Sequence, residues 1–280
     1  MPALISGTSS KFWKKDMPDP YEVYAVRYAE RMGARNQHFL HQDPHDGPMA
    51  MDYFVWAIIG NGRTFVVDLG FEAREAEKRG RMLLRSPAEG LKLLGIDAAT
   101  VEDVIITHLH YDHAGSVEDF PNAQFYLQDR EMSFATGRNM RFETFNMAYS
   151  VEYVIDILRK IYDNRVIFVD GMEELAPGLS VHHVGGHTDG LQIVRVWTKR
   201  GWVVLAADAA HYYENMETPN PFPLVYNVGD MIDGYRTMAL LADSSKHIIP
   251  GHDPLVTKRY PALSPETEGI VIRLDSDPVA

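Results

Sequence analysis

The run Thr107-His108-Leu109-His110-Tyr111-Asp112-His113, entered from the apolar residues Val104-Ile105-Ile106, places three imidazoles and a carboxylate within six consecutive positions. Neutral imidazole and carboxylate are borderline ligands that suit divalent zinc, iron, cobalt or manganese. Packed this closely, they would be costly to bury without a cation to share. A solvated His-rich turn accounts neither for Asp112 among the histidines nor for the apolar strand that delivers them. The run predicts a metal site at the end of a strand.

Working outward, further candidate ligands lie where strand-like runs stop. Gly185-Gly186-His187-Thr188 follows the alternation Leu179-Ser180-Val181-His182, the run from Trp202 to Ala207 ends in Asp208, and His247-Ile248-Ile249-Pro250-Gly251 ends in His252 and Asp253. Strand ends are held by a rigid sheet yet face its open rim, where a multi-ligand site can be built with small tolerances.

In order and spacing, these motifs resemble the metallo-β-lactamase superfamily. His108, His110, Asp112 and His113 match the family's H-x-H-x-D-H motif, His187 its later histidine, Asp208 its bridging aspartate and His252 its final histidine, and the likeness runs from about Tyr21 to Pro261. Within the superfamily the chain looks most like the N-acyl homoserine lactone lactonases, on the Gly251-His252-Asp253 ending, the Gly186-His187-x-x-Gly190-x-Gln192 pattern and the overall size. The resemblance implies an αββα sandwich of two mixed β-sheets flanked by helices, and two divalent metal ions, zinc foremost with iron, cobalt or manganese as alternatives. His108, His110 and His187 would hold one ion and Asp112, His113 and His252 the other. Asp208 would bridge them at the ~3.5–4 Å typical of two-metal sites.

The implied chemistry is attack of a metal-bound hydroxide on a lactone carbonyl, with Asp112 passing a proton to the leaving oxygen. One departure concerns the residue beside that carbonyl. The lactonases carry a tyrosine three residues after the bridging aspartate, whereas this chain has His211, followed by Tyr212 and Tyr213. His211 could donate the same hydrogen bond, or Tyr212 could reach in from a shifted loop. Leu191 also stands where the family often has a histidine. The first functional expectation is a lactonase acting on acyl-homoserine lactones or another lactone. The alternative is a glyoxalase-II-like thioesterase or other ester hydrolase, against which count Asp253 and the lack of a basic patch for an anionic thiol carrier. A diiron oxidoreductase fits less well, because that branch usually has glutamate in place of His110 and needs a flavin-bearing partner domain. The lactonase likeness also suggests a homodimer.

Composition agrees with this expectation. A chain of 280 residues, 45% hydrophobic, can bury a full core, which predicts a single domain over 1–280. With no cysteine, any metal must be held by nitrogen and oxygen. A net charge of −12 argues against nucleic acid as substrate. The segment from Met1 to Pro20 has no continuous apolar stretch, so neither a signal peptide nor a membrane span is expected and a cytoplasmic location is the default.

Two hairpins are predicted: Val55–Ile59 with Thr64–Asp68 across an Asn61-Gly62 turn, and Ile193–Trp197 with Trp202–Asp208. Each ends in a carboxylate, which suggests two similar halves. Asp68 reads either as a turn residue or as the acceptor of a metal-bound imidazole's free N–H. Ser86-Pro87-Ala88-Glu89 has the N-cap, first-position proline and capping-box glutamate of a helix of about two turns, stopped near Gly95. Residues 129–164 form a helical insertion rich in Met and aromatics. It ends in a periodic helix expected to bury Val151, Val154, Ile155, Leu158 and Ile161, with part of the segment as an apolar wall over the metals or a dimer contact. His38, His41 and His45 read as solvated loop histidines.

Overall fold

The computed structural model of the protein describes residues 18–41 and 46–279. The N-terminal leader expectation therefore lies largely outside the described residues, as does His45. The strands are β1 (Glu22–Ala34), β2 (Pro48–Gly60), β3 (Arg63–Val67), β4 (Met82–Leu83), β5 (Asp103–Ile105), β6 (Gln124–Gln128), β7 (Val166–Val169), β8 (Met172–Ala176), β9 (Leu179–His183), β10 (Gln192–Thr198), β11 (Gly201–Ala207), β12 (Ile248–Pro250) and β13 (Val271–Arg273). The helices are α1 (Ala73–Arg79), α2 (Pro87–Lys92), α3 (Asp129–Ala135), α4 (Glu143–Asn146), α5 (Val151–Tyr162), α6 (Tyr213–Glu217), α7 (Val228–Leu241) and α8 (Leu255–Arg259). One sheet has the order β13-β1-β2-β3-β5-β6-β7 with β4 also on β1, and the second has the order β12-β11-β10-β9-β8. Both are mixed. In the first, β3, β5, β6 and β7 run parallel and the rest antiparallel; in the second only β11 and β12 are parallel.

Period-two alternation sorts the side chains into layers. On β2, Phe54, Trp56 and Ile58 meet Val181, Val194, Val196, Val203 and Leu205 of the second sheet, while Val55 and Ala57 face Leu91 of α2 and Tyr153, Val154 and Ile157 of α5. On the far side, Ile193, Val204 and Ala206 pack under Met231, Tyr235 and Met238 of α7. Helix, sheet, sheet and helix stack in that order, the αββα sandwich expected.

The β2–β3 hairpin turns on Asn61 and Gly62, whose φ values of 52° and 72° are the left-handed pair that a two-residue turn of matching twist requires. The capping box of α2 is present, with the Ser86 side chain accepting from the Glu89 backbone and Glu89 returning to Ser86. The last insertion helix differs from expectation. α5 buries Tyr153, Val154, Ile157 and Lys160, while Val151, Ile155 and Leu158 are exposed. Its buried stripe is rotated from the one that sequence periodicity selects, because the apolar residues wrap more than one face and the sheet below decides which is covered.

Candidate metal centre

Every predicted ligand sits just past a strand or in the loop that follows it. The run His108–His113 leaves β5, His187 lies in the loop between β9 and β10, Asp208 follows β11, and His252 lies two residues past β12. The fold brings all seven to one rim. His108, His110, His187 and Asp208 offer ligand atoms within 4.8 Å of one another, and so do Asp112, His113 and His252. Asp208 reaches toward both groups: its Oδ2 lies 3.2 Å from His187 Nε2 and its Oδ1 lies 2.9 Å from His252 Nε2 and 3.3 Å from His113 Nε2. Asp112 Oδ2 is 3.7 Å from the Nε2 atoms of both His113 and His252.

The far sides of the rings determine what the near sides can do. Nδ1 of His113 donates to Asp68 Oδ2 (2.7 Å), that of His187 to the Leu224 carbonyl (2.7 Å) and that of His252 to the Asp52 carbonyl (2.8 Å). Carboxylates and carbonyls only accept, so Nδ1 carries a proton in each ring, and a ring that gives up its second proton to a metal turns the lone pair of Nε2 into the site. His252 Nε2 and Asp208 Oδ1 face each other at 2.9 Å. The Nε2 atoms of His108, His113, His187 and His252 and Oδ1 of Asp208 are all buried without a hydrogen-bond partner. Each such orphan costs about 1–3 kcal/mol. A shared cation satisfies them together, so the donor set fits a dinuclear metal site.

Electrostatics agree. Burial, then the neighbouring His113 and His110, push His108 well below the ordinary histidine range, and burial with His187 does the same to His110, which keeps both rings neutral and ligand-ready. Burial opposes the charged form of His113, yet Asp208, Asp68 and Asp112 outweigh it and hold this ring well above its usual range. Burial likewise opposes the Asp208 carboxylate, and His252, His211 and His113 overcome it. The centre is a place where positive charge is strongly favoured.

Several supporting groups carried little sequence signal. Asp68, whose φ is 62°, accepts from the Thr107 backbone N–H (2.7 Å) and from the Thr107 hydroxyl (2.8 Å) as well as from His113. Through Thr107 Oγ1, 3.2 Å from His108 Nδ1, it orients a second ring. Of the two readings of Asp68, the structure bears out the imidazole acceptor. Glu131 on α3, fully buried, accepts from Leu109 N, Tyr149 Oη, Thr188 Oγ1 and Gly190 N, tying the His108–His113 loop to the His187 loop. Burial raises its carboxyl above the usual range. A lone buried acid on a helix reads in sequence as surface charge, so nothing short of the fold reveals it.

A cavity of about 450 Å³ opens over the centre, lined by His110, Asp112, Asp208 and His211, by Met51, Tyr53, Met147 and Phe222, and by Arg31, Arg79 and Arg81. The insertion contributes in both predicted ways: Met132, Phe134 and Tyr149 pack the core, while Thr144, Met147 and Ala148 wall the cavity. His211 stacks flat on Phe222, ring centroids 3.4 Å apart, with Nε2 2.9 Å from Asp208 Oδ2. Tyr212 turns elsewhere, its hydroxyl donating to the Ala50 carbonyl (3.0 Å). The basic patch that the sequence did not show is therefore present, assembled from arginines about 50 positions apart.

The sequence matches the family model of the metallo-beta-lactamase superfamily over residues 50–258. An N-acyl homoserine lactonase of a Bacillus species is 32% identical over 133 residues, 47% of this chain and 48% of that one. The N-acyl homoserine lactonase AttM of Azorhizobium caulinodans is 30% identical over 172 residues, 59% and 62% of the two chains. The alignments thus span from about half to three-fifths of these relatives' length. Among solved structures, a quorum-quenching N-acyl homoserine lactone lactonase superposes with a TM-score of 0.71 at 20% identity, covering 85% of this chain and 94% of that chain. A probable metal-dependent hydrolase from Staphylococcus aureus superposes at 0.67 and 14% identity, covering 94% and 96%. At these identities the structural likeness speaks for the fold.

Proposed function

Because the chain belongs to the metallo-β-lactamase superfamily, we propose that it is a two-metal hydrolase that opens a lactone or a related carboxylic ester. The single observation that carries this reading is the convergence of four unpartnered imidazole Nε2 atoms around the Asp208 carboxylate, beside an open cavity that His110, Asp112 and Asp208 line. Divalent ions bound there supply Lewis acidity and bring the pKa of a coordinated water to about 7. The chain's own residues do the rest. His108, His110 and His187 form one half of the cradle, Asp112, His113 and His252 the other, and Asp208 spans them. Asp112, held by the Tyr28 hydroxyl on its backbone carbonyl (3.0 Å), carries a proton to the leaving oxygen. Of the two, His211 is the residue that donates to the substrate carbonyl, by sharing the Nε2–H now turned to Asp208 Oδ2 (2.9 Å), since His211 lines the cavity and the Tyr212 hydroxyl is committed to Ala50. Met51, Phe222 and Met147 give the wall an apolar face for an acyl or ring group.

The test is a panel of lactones, esters and thioesters presented to zinc-, iron-, cobalt- and manganese-loaded protein. Lactone opening that chelation abolishes and added metal restores is the expected result. Preferential thioester cleavage selects the glyoxalase-II-like alternative, and activity that survives exhaustive chelation excludes the two-metal reading.

A further inference from the structure

The β1–β4 pairing aligns Ala29 with Leu83 and Glu30 with Met82, and one further step of that antiparallel register sets Arg31 opposite Arg81. Like charges directly opposite each other across a strand pair are destabilising unless something of opposite sign lies between them. The protein has acid to spare, with a net charge of −12. Yet neither arginine has a carboxylate within ion-pair distance among the described residues. Arg31 makes one hydrogen bond, Nε to Met51 Sδ at 3.2 Å. Arg81 gives Nε to the Tyr111 hydroxyl (3.0 Å) and Nη1 to the Arg79 carbonyl (2.7 Å). Arg79 differs, for it pairs with Glu75 and donates to the carbonyls of Met147 and Tyr149, which occupies it structurally. The field of Arg31 is felt nearby: after burial, it is the next cause of the drop of the His38 pKa to about 4.

Both arginines line the cavity that holds Asp112, Asp208 and His211. Tyr111, on which Arg81 rests, touches the Tyr53 hydroxyl (3.1 Å), and the Tyr53 ring lies edge-on against the His252 ring. Arg81 is thus two tyrosines removed from the metal cradle. We propose that Arg31 and Arg81 form an anion subsite, and that the substrate is a lactone or ester bearing a carboxylate arm that this pair receives while the scissile carbonyl lies over the metal cradle. The planar, always-charged forks suit a carboxylate, and the apolar wall of Met51 and Phe222 suits the short chain between the two ends. This inference rests on the hydrolase reading for the identity of the reacting group, but not for the subsite itself.

The experiment is a calorimetric titration of zinc-loaded protein with monocarboxylates and dicarboxylates of equal length: butyrate against succinate, hexanoate against adipate, octanoate against suberate. One carboxylate is common to both members of each pair, so their affinity ratio isolates the second. We expect one dicarboxylate to bind about 10- to 100-fold more tightly than its partner, a preference that shrinks as salt rises. In Arg31→Gln and Arg81→Gln the ratio should fall toward one, while Arg81→Lys should retain part of it. Equal affinities across every pair, or a preference that survives both glutamine variants with metal content intact, overturn the subsite and leave the hydrolase reading untouched. A preference that the variants abolish, in a protein that opens no lactone or ester with or without a carboxylate arm, keeps the subsite and sinks the hydrolase reading.

Discussion

Within the site, neighbouring residues of similar chemistry have different surroundings. His211 and Tyr212 are adjacent, yet one lines the cavity against Asp208 and Phe222 and the other is spent on the Ala50 carbonyl. His211→Ala should lower kcat by about 10- to 1000-fold with both metals retained, the range for losing one transition-state donor. Tyr212→Phe should keep its rate and lose about 0.5–1.5 kcal/mol of stability, the worth of one ordinary hydrogen bond. Steady-state kinetics with metal analysis decides between them, and a slow Tyr212→Phe beside a normal His211→Ala reverses the assignment. His38, which the sequence reads as a solvated loop histidine, is buried in the structure because it packs against Tyr212, and it offers a second test at this scale. Burial first, then Arg31 and His252, lower its pKa from 6.5 to about 4, so the folded protein favours the neutral ring. The stability this contributes is fully present above pH 6.5 and is lost as pH falls through the window from 6.5 to 4. Denaturant midpoints of chelated protein should fall across that window, and less steeply in His38→Gln. Parallel slopes in the two proteins would remove His38 as a source of acid sensitivity.

At the scale of elements, the metal loop is held in place by a helix it does not touch in sequence. The two Glu131 oxygens on α3 accept from the backbones of Leu109 and Gly190 and from the hydroxyls of Tyr149 and Thr188. In Glu131→Gln one oxygen becomes an amide NH2. A hydroxyl can rotate to accept from it, but a backbone N–H cannot, so one buried donor is orphaned at a cost of about 1–3 kcal/mol. Equilibrium unfolding should show that loss, together with weaker metal binding because the His108–His113 loop is less well held. An unchanged midpoint would mean that the loop keeps its shape without this acid. At the rim of the other sheet, a Cβ on Gly251 would stand 2.5 Å from the Ala207 carbonyl and 3.0 Å from Asp208 Oδ1, which explains why the β12 end can approach Asp208 only as glycine.

For the molecule as a whole, a metal bound at this centre would be coupled to the fold. Ligands delivered from both sheets are buried in the folded chain, so ions that bind there stabilise it by mass action. Elemental analysis should find close to two transition-metal ions per chain. Chelation should lower Tm by about 5–10 °C, as expected when free metal stands near a hundred times Kd in a chain of this size. A metal-free protein with an unchanged Tm would contradict the coupling. Among the described residues no helix is long and apolar enough to cross a membrane.

What could be read from the sequence was local. Alternating apolar residues specified the strands, Asn61-Gly62 the first hairpin turn and Ser86-Pro87-x-Glu89 the capped helix, because each depends on neighbours within a few positions. The seven candidate ligands were legible for a related reason: each stands at a strand end, and only a cation makes sense of so many imidazoles and carboxylates. Tertiary structure alone decided the rest. The buried stripe of α5 was chosen by the sheet beneath it, the direction of His211 by Phe222, the tautomers of His187 and His252 by carbonyls of distant loops, and the placing of Arg31 and Arg81 on one cavity by the pairing of β1 with β4. Strand pairing and packing join residues tens to hundreds of positions apart, and a period of 2 or 3.6 along the chain carries no information about which partner a side chain will meet across it.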